Sequence, residues 1–238
     1  MITLFLKLLL VHLAGDFVFQ PTKWVSDKLQ KKVASKYLYL HIAIHALLLL
    51  IILQFNMQYW LGITIILVSH YIIDVVKLYL QNKWKEPYLF FADQILHILI
   101  IAGVAIMYTD HSFNYKLTRQ PKVLLFICCV IFVTYAAAII MRLVMNYWKL
   151  KDDNAGDSLQ LAGKYIGMIE RLLVFLFVIL NQWSAIGFLI AAKSILRFSD
   201  LSRAKDRKLT EYIIIGTLLS ISISIITGLI YKNASQYL

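Results

Sequence analysis

Long apolar stretches broken by short polar links organise this chain, and they predict eight helices. The stretches cover 2–20, 38–55, 59–80, 88–108, 122–147, 165–181, 184–198 and 210–231. Most approach the roughly 20 residues that a helix needs to cross a bilayer. The link Asn181 to Ser184 is very short, so the seventh stretch is either a short span or a re-entrant one. The expected fold is all-α: a polytopic transmembrane bundle of seven or eight spans. The first stretch has the position of a signal peptide. His12 and Asp16 lie inside it and Gln20 and Pro21 end it, with no small-residue cleavage site, so it is read as a mature span.

Between the first two stretches, Thr22 to Lys36 has a different pattern. Val25, Leu29 and Val33 recur every four residues, Trp24 suits the headgroup level, and lysines fill the opposite face. That pattern predicts a helix lying in the membrane interface. The polar run Asp152, Asp153, Asn154, Gly156 and Asp157 also interrupts the apolar pattern. It favours two parts: an N-terminal four-helix unit, 1–110, and a C-terminal four-helix unit, 111–238.

Composition agrees with a membrane protein. Hydrophobic residues make up 61% and charged residues 16% of the 238, below the roughly 25% charged of globular proteins. The net charge of +11 is explained by loops facing anionic headgroups rather than by nucleic acid, because no basic-aromatic binding motif is present. Cys128 and Cys129 are adjacent in an apolar run and give neither metal-ligand spacing nor a disulfide framework.

The basic residues also set an orientation. Seventeen Lys and Arg fall in alternate links: 23–36, 77–85, 142–164 and 197–208. The opposite links hold Lys116, Arg119, Lys122 and Lys232. The positive-inside rule puts the first set in the cytoplasm and both termini outside.

Within the apolar pattern lie four exceptions: His12 and Asp16, His41 and His45, His70 and Asp74, Asp93 and His97. Each pair is four residues apart, which places both side chains on one helix face. The chain has ten Asp and six His. Every one of them that lies inside a long apolar stretch belongs to this set. Ionisable groups at membrane depth are costly and mark function by default. The charge-derived orientation puts Asp16, His41, Asp74 and Asp93 nearer the cytoplasmic surface. His12, His45, His70 and His97 lie one turn, about 6 Å, deeper.

Imidazole and carboxylate are ligands for zinc, manganese or iron. Eight of them at one depth predict two divalent ions, with all eight residues as ligands and Asp16, Asp74 and Asp93 also as catalytic groups. The first two helices carry HxxxD then HxxxH and the next two HxxxD then DxxxH, so the unit reads as two repeated hairpins. Interhelical hydrogen bonding without metal is the plainer alternative.

Charges also enter the C-terminal stretches. Glu170, Arg171, Lys193, Arg197 and Glu211 form a candidate pocket for a phosphate or carboxylate, against the alternative of helix-end snorkelling and structural ion pairs.

The strings HLAGDFVFQ, HIAIH, HYIID and DQILH, followed by GKYIGMIERL, AAKSILRF and EYIIIGTLLS, resemble a bacterial multi-pass membrane family catalogued as domain of unknown function DUF 3307. The resemblance spans nearly the whole chain and implies a bacterial inner-membrane protein without assigning an activity. In residue type, the chain is also similar to bacterial inner-membrane proteins predicted to be metal-dependent hydrolases. The leading expectation is such a hydrolase, acting on a lipid-linked or phosphate-containing substrate, with membrane lipid as its partner. Alternatives are a metal or proton transporter, a di-iron membrane oxidase, and a scaffold or sensor with structural metal and a cytoplasmic protein partner.

Overall fold

The computed structural model describes residues 1–108, 121–146, 157–203 and 207–238, with side chains at all of these except 157–162 and 196–209. His111, most of the acidic link at 152–157 and the side chain of Arg197 lie outside the described residues.

The described residues are helical and contain no strand. Helix α1 (Ile2–Leu13) runs on into a π turn (Ala14–Val18), and α2 (Thr22–Lys31) into a 3-10 turn (Lys32–Ala34). Then come α3 (Lys36–Ile52), α4 (Trp60–Leu80), α5 (Glu86–Met107) and α6 (Pro121–Ile131). After a second π turn (Phe132–Ala136) follow α7 (Ala137–Met145), α8 (Asp157–Ile179), α9 (Trp183–Arg203) and α10 (Arg207–Ala234). Each apolar stretch predicted from sequence contains a helix.

The chain writes its own helix ends. Pro21, extended at φ −63° and ψ 149°, separates the first π turn from α2. Ser35 caps α3, its hydroxyl oxygen accepting from the Tyr37 amide at 3.3 Å. Pro87 sits in the first turn of α5, where its missing N–H costs nothing. At the end of α3 the left-handed residues Gln54 and Phe55 (φ 58° and 54°) turn the chain, and the Phe55 amide donates back to the Leu50 carbonyl. Asn181 (φ 58°) does the same between α8 and α9, with Gln182 donating to Phe177.

Two compact units result, Met1–Ile131 and Phe132–Leu238. In the first, α1 packs on α3, α5 and α6, while α4 packs on α3 and α5. Its apolar core joins Leu8, Val11, Leu49, Leu53, Tyr59, Ile66, Ile101 and Val104. In the second, α8 packs against α10 and α9 around Val174, Val178 and Ile186.

The helix faces are inverted relative to a water-soluble protein. On α4 the buried residues are Gly62, Ile66, His70, Asp74 and Leu78, whereas Val68, Ile72 and Val76 are exposed. On α5, Asp93 and His97 are buried and Ile95, Leu96 and Leu99 are exposed. Exposed apolar faces over buried ionisable ones suit a lipid environment. Among the described residues, four helices are long and apolar enough to cross a membrane: Met57–Leu80, Glu86–Met107, Pro121–Met145 and Thr210–Ala234. Ile2–Val18 with Thr22–Ala34 makes a fifth if that pair, bent by 83°, counts as one span. Lys36–Ile52 and Trp183–Ile195 are shorter apolar helices.

Candidate metal centre

All eight His and Asp residues of the four i, i+4 pairs converge inside the first unit. Seven are buried, and the Asp16 side chain is 10% exposed. Their i, i+4 spacing does this locally: one stripe on each of α1, α3, α4 and α5 faces the same interior. The first stripe includes the π turn, which carries Gly15 and Asp16. Such turns break the α-helical hydrogen-bond register and recur at functional sites.

Asp16 is the hub. Its Oδ1 lies 3.1 Å from His45 Nε2, 3.3 Å from His41 Nε2 and 3.4 Å from His70 Nε2. Two of those nitrogens, on His41 and His70, face each other at 3.1 Å. Protons alone serve this arrangement poorly: with His41 and His70 Nε2 only 3.1 Å apart, both cannot carry a proton when neutral, so one must turn a lone pair toward the carboxylate. One cation would satisfy three nitrogens and the carboxylate together, and three imidazoles with one carboxylate form a four-ligand set for zinc or a similar ion.

A second cluster lies beside the first. His12, His70 and His97 have ring nitrogens within 4.8 Å of one another, as do ligand atoms of Asp16, Asp93 and His97. Three polar atoms here are buried without a hydrogen-bond partner: His12 Nδ1, Asp93 Oδ1 and His97 Nε2. Buried polar groups are ordinarily satisfied; here His97 Nε2 and Asp93 Oδ1 lie 3.5 Å apart, and these groups could hold a metal ion. Asp16 faces both clusters, Oδ1 toward His41, His45 and His70, and Oδ2 3.9 Å from His12 Nδ1.

Asp74 lies beside both clusters, its Oδ1 3.9 Å from His97 Nε2. Its Oδ2 accepts from Lys28 Nζ at 3.1 Å and lies 3.7 Å from His41 Nε2. His12, His45, His70 and His97 line one pocket, closed on its other sides mainly by Leu8, Val11, Leu49, Ile66, Ile100 and Ile101.

Four further residues complete the site. Lys77 Nζ donates to Asp93 Oδ2 at 2.7 Å. Gln94 Nε2 donates to Asp16 Oδ2 and to Asp93 Oδ2, both at 3.1 Å, and its Oε1 lies 3.2 Å from His12 Nε2. Gln20 Nε2 stands 3.1 Å from His41 Nδ1. Lys28 comes from the interfacial helix, 46 residues from its partner Asp74. Sequence reading took Lys28 and Lys77 only as topology charges. Lys77 follows Asp74 by three residues, Gln94 adjoins Asp93 and Gln20 follows Asp16 by four, so those three carried a local signal; Lys28 carried none.

The C-terminal residues arrange differently. Lys193 Nζ pairs with Glu170 Oε2 at 2.5 Å, and both line a pocket with Arg171 and Ser220. The Arg171 guanidinium is buried and engaged: Nε donates to the Val133 carbonyl at 2.6 Å, Nη2 to the Thr134 carbonyl at 3.2 Å, and Nη1 to Ser220 Oγ at 3.4 Å. It therefore caps carbonyls of the second π turn. Glu211 is exposed and is not among the residues lining this pocket.

Residues 4–126 match the family described as Protein of unknown function (DUF3307), and the chain belongs to it. The matched segment contains every residue of the His/Asp cluster. No curated protein and no solved structure matches this chain.

Proposed function

We propose that this DUF3307 protein is a membrane-embedded, metal-dependent hydrolase acting on a phosphate-containing, lipid-linked substrate. The observation that carries the reading is the convergence of three imidazole nitrogens on one carboxylate oxygen of Asp16. His41, His45, His70 and Asp16 would hold one divalent ion. His12, His97 and Asp93, with Asp16 shared, would hold a second. Zinc, manganese and iron all suit this donor set.

A divalent ion bound here acidifies its water and polarises a phosphoryl oxygen. Asp74, outside the ligand groups, is the general base. It takes a proton from the attacking water as the new phosphorus–oxygen bond forms. It then returns that proton to the displaced oxygen as the old bond breaks. Gln94 orients Asp16 and Asp93 through its two donated hydrogen bonds. Apart from Ser69, the residues that line the pocket with the four histidines are apolar, which favours chemistry over ion conduction.

In the bilayer, the chain makes eight spans in a bacterial inner membrane, its first four in two repeated hairpins. Both termini face outward and the Asp layer lies toward the cytoplasm. The lysine-rich links on that side and the 83° turn into α2 support this orientation. The test is elemental analysis of the detergent-purified protein, with hydrolysis of phospholipid and polyprenyl-phosphate substrates before and after chelation. Two ions and chelator-sensitive activity are expected. A metal-free wild type, or full activity without metal, overturns the reading.

A further inference from the structure

Lys28 and Lys77 stand over the acidic side of the cluster, each paired with one of its carboxylates. Lys28 is 5% exposed, yet its stem crosses from the interfacial helix α2 to place the ammonium against Asp74. Lys77 reaches Asp93 from α4, and its side chain is 31% exposed while that of Asp93 is 2% exposed. Lys77 therefore borders the surface and Asp93 does not. Buried ammonium groups are retained only where charge demands them.

The charges of the site define that demand. Asp16, Asp74 and Asp93 with Lys28 and Lys77 leave one net negative charge when the histidines are neutral. One divalent ion reverses it to one positive charge, and two ions bring it to three positive charges inside a largely buried cluster. A neutral ester would leave that charge uncompensated, whereas a phosphate group carrying two negative charges offsets most of it. Each ammonium has three donors, and the hydrogen bonds described engage one of them. The remaining donors can serve phosphoryl oxygens.

We propose that Lys28 and Lys77 form an anion clamp, and that a phosphate group and the metal ions bind this site cooperatively. The inference rests on the metal-centre reading above. The same chemistry fits a free phosphate compound and a phosphomonoester lipid headgroup delivered beside α2.

The test measures Mn2+ and Zn2+ binding to the full-length protein under three conditions: alone, with inorganic phosphate in detergent, and with phosphatidic acid in phosphatidylcholine discs. One of the two phosphate sources should tighten metal binding about tenfold or more, within the usual range of such coupling. An effect of inorganic phosphate identifies a soluble ligand, and an effect confined to phosphatidic acid identifies a headgroup. K28M and K77M should each lose most of this tightening while binding the metal alone at least as well as wild type, because each removes a positive charge. Lys28→Arg and Lys77→Arg should recover it, separating charge loss from misfolding, and Lys31→Met should be unchanged. Metal binding that neither phosphate source alters, or tightening that survives both methionine variants, overturns the clamp and leaves the metal centre standing. A wild type that binds neither ion overturns both.

Discussion

Gly15 lies against the imidazole of His45, and a Cβ built on Gly15 would overlap the ring. His45 is 1% exposed, so the ring could give way only into the pocket that it helps to line. The glycine is what lets α3 bring His45 to Asp16, one residue further along the π turn. Close backbone approach is the use of glycine here; its φ is not positive.

Gly15→Ala is therefore expected to displace His45 from the cluster. Overpacking of this kind costs about 1–3 kcal/mol. The expected outcome is a lowered thermal midpoint together with loss of bound metal, read by a melting curve and elemental analysis of the same preparation. Normal metal content in a folded G15A would show that His45 is not a ligand.

Asp16→Asn tests the hub. The amide keeps the shape but removes the charge and one acceptor, and its NH2 faces imidazole nitrogens. Both ions should be lost, because Asp16 faces both ligand groups. Asp93→Asn should cost only the second ion. Metal stoichiometry in the two variants separates a bridging Asp16 from a ligand to one ion.

Gln94→Leu removes hydrogen bonds to Asp16, Asp93 and His12 without removing a proposed ligand. Partners of this type typically contribute 10–100-fold in metal affinity. A metal titration should find the variant weakened by about that factor at full stoichiometry.

Arg171→Met should act on stability and not on metal. The lost guanidinium removes hydrogen bonds to the Val133 and Thr134 carbonyls, each worth about 1.5–3 kcal/mol because the donor is charged. Arg171→Lys should rescue little, since an ammonium lacks the planar fork. A lowered midpoint with unchanged metal content and hydrolysis fits a structural cap. Lost hydrolysis at an unchanged midpoint would instead make Arg171 a substrate residue.

Cysteine accessibility tests the orientation. Cys128 and Cys129 are buried and should stay silent to a membrane-impermeant maleimide. Cysteines introduced at the exposed positions Lys83 and Gln58 should label from opposite sides in intact cells, with Gln58 reached from outside. Labelling of both from one side would overturn the span assignment between them.

The amino-acid sequence by itself determined the helices and the content of the site. An i, i+4 spacing is a local property, so four pairs in apolar stretches already name eight residues and one face on each helix. Lys and Arg counts, read without any contact, assigned a shared depth. Tertiary structure alone decided how the eight meet: Asp16 as the hub of three imidazoles, His12 with His70 and His97, Asp93 with Asp16 and His97, and Asp74 against Lys28 and beside His41. It also decided that Lys28, Lys77, Gln20 and Gln94 belong to the site, and that Arg171 caps a π turn. The reason is that these relations depend on the rotation of each helix and on which neighbours meet. Those follow from packing between segments tens of residues apart, such as Lys28 and Asp74. Periodicity fixes the face of a helix; only the neighbouring helix fixes what that face touches.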